Sequence, residues 1–252
     1  MAKYDGIFDI FGTLKGMTFY KTKDGVLVRT KGGVSKERIK NDPAFQRTRE
    51  NGAEFAHSAQ AGQLVRKSVG HLLKKAKDRR VSSRLLKVMS DVKNLDSTSA
   101  RGERKVALGL ATPEGRQQLK GFDFNIDSKL GTVLRQNYTL DPLTGDVTLL
   151  DFEPENSLEL PEGTTHVSLR AAVGRIDFET GDHITVQSAE SNLAANAAAA
   201  TLTLSPGGLP PGLGGFLFFY LWIGFYQEIN AVQYPLKNHI FNSLHLIEVT
   251  EP

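Results

Sequence analysis

Phe216-Leu217-Phe218-Phe219-Tyr220-Leu221-Trp222-Ile223-Gly224-Phe225-Tyr226 is the most apolar run in the chain, and its reading decides the fold. Its 11 residues are too few to cross a bilayer as a helix, which takes about 20. Aromatic and β-branched side chains of this density favour a strand. A strand covered on one side alternates apolar and polar residues; this one does not alternate, so both faces must be covered. Either it is the central strand of a sandwich with helices over it, or contacts with another subunit cover one face.

Short strand patterns surround this run. Phe122–Ile126, Val147–Phe152, His166–Val173, His183–Val186, Thr201–Leu204, Val232–Leu236 and Leu244–Val249 carry the composition of strands. Asp141-Pro142, Thr144-Gly145-Asp146, Pro161-Glu162-Gly163 and Thr180-Gly181-Asp182 mark turns between them, and Ile229-Asn230-Ala231 marks a hairpin corner. Ala194–Ala200 and the Pro/Gly-rich Pro206–Gly215 read as loops. Residues 121–252 are therefore expected to form an antiparallel β-sandwich.

Residues 42–95 read differently. Asp42-Pro43 places a capping residue before a Pro at the first helical position. Ala53, Ala56, Ala59 and Ala61 suggest a small-residue face. Leu64, Val65, Val69, Leu72, Leu73 and Ala76 recur at helical spacing, with Arg66, Lys67, Lys74, Lys75 and Lys77 largely opposite. A further helix is expected from Ser82 or Ser83. Its inner face is Leu85, Leu86, Met89 and Val92, and its outer face Arg84, Lys87 and Lys93. Residues 96–120 read as a polar connector with a short strand at Val106–Leu110. Residues 1–41 read as a β-hairpin arm, with Lys23-Asp24-Gly25 turning the chain between Thr18-Phe19-Tyr20 and Val26-Leu27-Val28, so that residues 17–30 form the hairpin. A hairpin alone is marginal in water, so the arm must pack on the body or on a neighbour.

The 252-residue chain carries a formal charge of +3, which hides a division. Residues 1–120 hold 26 Lys and Arg against 12 Asp and Glu, whereas residues 121–252 hold 5 against 16. Such a split points to a polyanion for the basic half, or to the acidic half of another copy. Residues 56–120 contain no Phe, Tyr or Trp. Stacking on single-stranded bases needs such platforms, so nucleic-acid binding is narrowed to duplex phosphates.

Little in the chain points to catalysis. With no Cys, disulfides, thiolate metal sites and Cys nucleophiles are excluded. His57, His71, His166, His183, His239 and His245 are scattered, without a standard ligand spacing. No Gly-x-Ser-x-Gly elbow occurs, and Gly32–Lys40 lacks the spacing of a phosphate loop. Asp151, Glu153 and Glu155 would share one face if their strand ran on. They suit an acid/base pair or a hard-cation site, and better an acidic rim at a sheet edge, with Pro154 and Pro161 nearby. Asp5 and Asp9 interrupt the N-terminal apolar residues, so no secretory signal is expected. Without a membrane span, cytoplasmic synthesis is expected, with release or export as an assembly left open.

Two segments carry a resemblance. Gly32-Gly33-Val34-Ser35-Lys36-Glu37-Arg38-Ile39-Lys40-Asn41-Asp42-Pro43-Ala44-Phe45-Gln46-Arg47-Thr48-Arg49-Glu50-Asn51-Gly52-Ala53-Glu54-Phe55 resembles the signature of an uncharacterised family of bacterial proteins. Phe225-Tyr226-Gln227-Glu228-Ile229-Asn230-Ala231-Val232-Gln233-Tyr234-Pro235-Leu236-Lys237-Asn238 is similar to that family's C-terminal signature. The resemblance implies likeness along the whole chain and carries no catalytic residue.

The expected fold is α+β: an N-terminal β-hairpin arm (1–41), a basic helical segment (42–95), a connector (96–120) and a C-terminal antiparallel β-sandwich (121–252). The expected function is a non-enzymatic structural subunit that joins head to tail with other copies of itself, in a filament, tube or particle. Duplex-DNA binding is the alternative, and no cofactor or metal is expected. Residues expected at the subunit interface are Phe19, Tyr20, Arg29, Lys36, Arg38, Arg47 and Arg49 on the basic side, and Asp151, Glu153 and Glu155 on the acidic side.

Overall fold

The computed structural model describes residues 2–4, 6, 10–22, 25–30, 32–76, 78–212 and 214–251. Lys23 and Asp24 of the expected turn lie outside them, as do Asp5, most of the run 7–11, and Lys77. The fold is α+β and divides into two compact units, residues 1–50 and 51–252.

The first unit is an antiparallel sheet of four short strands: β1 (Ala2–Lys3), β2 (Gly12–Leu14), β3 (Met17–Thr22) and β4 (Gly25–Thr30), in the order β1-β4-β3-β2. The expected hairpin is β3–β4, and β1 and β2 flank it. Lys15-Gly16 links β2 to β3 with both φ angles positive, 45° and 82°, as a type I′ turn requires. Helix α1 (Lys36–Asn41) follows, capped by the Ser35 side chain, which accepts the Arg38 N–H. Asp42 caps the 3-10 turn Pro43–Phe45 by accepting the Ala44 N–H at 2.9 Å. Neither helical turn buries a side chain.

Helix α2 (Gln46–Ser68) leads into the second unit, followed by α3 (Gly70–Leu73), α4 (Val81–Asn94), α5 (Val106–Leu110) and α6 (Pro113–Leu119). Then come α7 (Leu130–Val133), β5 (Thr139–Leu140), β6 (Val147–Phe152), α8 (Pro154–Ser157), β7 (His166–Ile176), β8 (His183–Gln187), β9 (Ser191–Ala194) and β10 (Ala200–Leu204). Strands β11 (Phe216–Ile229), β12 (Val232–Pro235) and β13 (Ser243–Thr250) complete it. The large sheet runs β12-β11-β7-β8, with β13 also on β11 and β9 also on β7. The small sheet runs β10-β6-β5, and all pairings are antiparallel.

The apolar run is the spine of this unit, and its residues divide between two cores. Phe216, Phe218, Tyr220 and Trp222 pack with Val65, Leu72, Leu85, Met89 and Leu110 of the helices. Leu217, Phe219, Leu221, Ile223 and Phe225 pack with Val147, Leu149 and Phe152 of the small sheet. Helices cover one face and a second sheet the other, so both faces of β11 are apolar for the reason the sequence implies. Burying a Leu, Ile or Phe side chain contributes about 1.5–3 kcal/mol, so β11 anchors the fold.

Several expectations are corrected. Val106–Leu110 is helical, and Gly109 lets it touch α4: a Cβ there would lie 2.1 Å from the Val92 carbonyl oxygen. Phe122–Ile126 forms no strand; it meets β13 through the single bridge Asp123–His245. On α2 the buried face is Glu54, Ser58, Ala61, Gly62, Val65 and Ser68, while Ala53 and Ala56 face solvent. Lys93 turns inward, and Arg84 donates to the carbonyls of Asp123 and Phe124 instead of standing in water. Strand β6 stops at Phe152 because Pro154 opens α8. Asp151, Glu153 and Glu155 therefore do not share a strand face.

One turn occurs twice. Asp141-Pro142-Leu143-Thr144-Gly145-Asp146 joins β5 to β6, and Asp177-Phe178-Glu179-Thr180-Gly181-Asp182 joins β7 to β8. In each, the first Asp N–H donates to the last Asp carbonyl at 2.9 Å, and the Gly N–H donates back to the first Asp carbonyl. The first Asp carboxylate accepts the N–H two residues on, and φ of both Gly residues is 82°. The carboxylates are used in closing the turns.

Candidate assembly surface

Directly paired residues of a sheet point to the same side. Leu14 pairs with Met17, and Phe19 with Val28. Leu14, Met17, Phe19, Val26 and Val28 therefore share one face of the first unit, with Tyr4 set edge-on to Phe19 at 5.3 Å. Phe19 is 8% exposed, but Leu14 is 56% and Met17 42% exposed. Phe19 is the only residue of this unit's strands that is buried among the described residues. An apolar face this open is not a finished core.

Phe19 and Tyr20, expected together at an interface, lie on opposite faces. Tyr20 sits with Arg29, whose guanidinium is 5.4 Å from the ring centre. Arg38 donates to Asp42 at 3.0 Å and lies over Phe45, and Arg49 donates to the carbonyls of Ile39 and Asp42. Arg47 pairs with Glu50, and Lys36 is exposed on α1. The bond to Ala44 N–H, then that to Arg38, hold the Asp42 carboxyl below its ordinary pKa. These basic residues mostly organise residues 35–50. Leu14 and Met17 are the residues that sequence reasoning missed. Their signal was the two-residue Lys15-Gly16 turn, which puts them side by side.

On the acidic side the candidates disperse. Asp151 is exposed at a bulge in β6, with φ 48° where the register to β10 shifts. Glu153 accepts from Asn156 Nδ2 at 2.5 Å, and Glu155 is exposed in the first turn of α8. Asp151 and Glu155 are open to a partner, but the three carboxylates form no ion cage.

Part of the positive charge of the basic segment is used internally. Glu54 accepts from Lys93 Nζ at 2.5 Å, from Arg104 Nε and Nη2 at 2.7 Å each, and from the Gly102 N–H at 2.8 Å. The Arg104 bonds, against the opposing effect of burial, hold its pKa far below the carboxylate range. Arg84 pairs with Asp78. Lys67, Lys74, Arg79, Arg80 and Lys87 remain exposed. His57 Nε2 accepts the Val106 N–H at 2.9 Å, so its ring is neutral, and burial pushes its pKa down. No group of three or more metal-ligating side chains occurs among the described residues, and no described helix is long and apolar enough to cross a membrane.

A concavity of about 550 Å³ lies beside the β11–β12 hairpin and is lined in part by Pro161, Gln227, Tyr234, Leu236 and Phe241. Comparison of the chain with protein-family models, with curated proteins and with solved structures finds no match.

Proposed function

We propose that this protein is a non-enzymatic structural subunit that assembles head to tail with other copies of itself. The observation that carries this reading is the first unit: an antiparallel sheet with one largely apolar face, edged by Lys21 and Thr30, on which Leu14 and Met17 remain exposed. A unit of 50 residues without disulfides has too little core to be stable alone and gains by packing on a partner. The charge division of the chain supports a partner of the same kind, with the basic N-terminal side meeting an acidic C-terminal side. A contact between different surfaces of two copies does not close by symmetry, and repeats into fibres or tubes.

Duplex-DNA binding has weaker support, because Arg84, Lys93 and Arg104 are held in internal ion pairs. Light scattering and negative-stain microscopy of the full chain at low and high salt test the proposal. Multimers are expected in both conditions, since salt screens exposed charges beyond about 8–10 Å and leaves apolar contacts in place. Leu14→Lys with Met17→Lys should reduce them to monomers with unchanged circular dichroism. Monodisperse monomers of the unaltered chain at high concentration would remove the assembly reading, and retention of duplex DNA by those monomers would favour the alternative.

A further inference from the structure

The β11–β12 hairpin projects past its sheet. Strand β7 accompanies β11 only to Tyr226, and β13 pairs no further along it than Ile223. Residues 227–234 are therefore a two-stranded ribbon, turned by Asn230 and Ala231 with φ 52° and 61°. Ile229, Val232 and Tyr234 are 51%, 50% and 53% exposed. Pairing of Ile229 with Val232 and of Gln227 with Tyr234 puts all four on one face, with Glu228 and Gln233 on the other. The apolar side leads into the groove containing Tyr234, Leu236 and Phe241.

We infer that β12 of one copy is the docking edge for β2 of the next, joined antiparallel with Thr13 opposite Gln233. The inference rests on the assembly reading above and names its contact. Among the described residues, β2 pairs with β3 alone and β12 with β11 alone, so each has an open edge. Both belong to hairpins with two-residue turns, whose closing pairs, Leu14–Met17 and Ile229–Val232, turn their N–H and C=O groups toward each other. Such pairs alternate along an antiparallel ladder. The outward-pointing N–H and C=O on β2 are therefore those of Thr13, and on β12 those of Gln233. Pro235, the next outward position on β12, has no N–H and ends the edge.

That single register matches both faces. Antiparallel pairing of Thr13 with Gln233 sets Leu14 against Val232 and Gly12 against Tyr234. One face then reads Met17-Leu14-Val232-Ile229 across four strands, all apolar and all exposed in the single chain. The bare Gly12, paired with Phe19, leaves room for the Tyr234 ring. The opposite face reads Thr18-Thr13-Gln233-Glu228, entirely polar, with Arg29 beside Thr18 at one end and the Glu228 carboxylate at the other. A shift of one residue would set each apolar side chain against a polar one. Charge agrees with the pairing: residues 1–50 hold 11 Lys and Arg against 6 Asp and Glu, and the hairpin belongs to the acidic half.

The chain has no Cys, so cross-linking between single-Cys variants tests the register directly. Thr13→Cys and Gln233→Cys full-length chains, one carrying a mass tag, are mixed and oxidised, and mixed disulfides are counted by mass spectrometry. Neither chain can make this bond within itself. Directly opposed strand residues fall within disulfide reach, so the mixed dimer should exceed that of Thr13→Cys with Ser97→Cys by about tenfold or more. Multimers in microscopy without the Thr13–Gln233 bond overturn this contact and leave assembly standing. An unaltered chain that stays monomeric overturns both.

Discussion

Replacing Glu54 by Gln should destabilise the second unit more than any change at its surface. Glu54 is 4% exposed, and its two oxygens take four hydrogen bonds from Lys93, Arg104 and Gly102. Gln keeps the volume, removes the charge, and turns amide hydrogens toward cationic donors. Lys93, itself buried, loses the carboxylate it pairs with. Removing one partner of a buried ion pair costs about 3–5 kcal/mol, and the partial access of Arg104 to water places this case near about 3. For a unit of this size each kcal/mol moves Tm by about 2–4 °C, so a fall of about 6–12 °C is expected. Thermal and urea unfolding at neutral pH, followed by circular dichroism, measure it. The double variant Glu54→Leu with Lys93→Met removes the buried Lys93 charge along with the carboxylate, leaves the partly exposed Arg104 to water, and should fall by less than the sum of Glu54→Leu and Lys93→Met. In the mutant cycle the coupling should then exceed about 1 kcal/mol. A Tm change under about 2 °C for Glu54→Gln, or a double variant that falls by the sum of the singles, would refute the view that this cluster ties α2 and α4 to residues 102–104.

Other outcomes follow from the same geometry. The pKa of His57 is lowered by burial and then by Lys105 and Lys93, so its stabilisation is complete above the unfolded value of about 6.5 and is lost as pH falls toward and through the folded value; His57→Gln should flatten that part of a Tm-against-pH curve. The depressed carboxyls of Glu54 and Asp96 act at lower pH: their contribution is present above their unfolded pKa values and disappears as acid protonates them, so urea midpoints should fall again below about pH 4. Gly145→Ala and Gly181→Ala both place Ala at φ 82°, which costs about 1–2 kcal/mol. Only at Gly145 does the added Cβ meet a neighbour, Val173 Cγ2 at 2.6 Å, so Gly145→Ala should have the lower Tm; equal values would show that the site relaxes freely. Gly109→Ala should be more damaging than Gly181→Ala, because its Cβ would lie 2.1 Å from the Val92 carbonyl oxygen, and chemical denaturation of the two compares them.

What could be read from the sequence depended on whether local pattern and tertiary packing agreed. β11 was legible because its lack of alternation has one physical cause, cover on both faces, and helices and a second sheet supply it. The turn residues were legible too: Gly145, Gly181 and Asn230 sit at positive φ, which their residue types tolerate. Val106–Leu110 misled because five apolar and small residues fit either period; contact of Gly109 with α4 decided for helix, and no local signal contains that contact. Lys93 misled for a related reason. Helical spacing put it among outward cations, but Glu54, 39 positions earlier, reaches it from a neighbouring helix and makes the inward rotamer stable. At the proposed interface local pattern did not show exposure. Phe19, expected among the interface residues, is 8% exposed, whereas Leu14 and Met17 on either side of the turn are 56% and 42% exposed.

The charge division now has two parts with different physical meanings. Within residues 51–252, Lys105–Glu179, Arg116–Glu251 and Lys120–Glu248 join the basic stretch to the acidic one inside a single chain. All three pairs are partly exposed, so each contributes about 0–1 kcal/mol and none holds the fold alone. They nevertheless use positive charge that a polyanion would otherwise meet. The excess on residues 1–50 belongs to a separate compact unit, where Arg38, Arg47 and Arg49 satisfy only nearby groups and Lys36 stays exposed. That remaining charge belongs to the same unit as the exposed Leu14 and Met17. Attraction toward an acidic surface and an apolar face that needs cover therefore act on the same segment, with charge orienting the encounter and apolar burial supplying the adhesion.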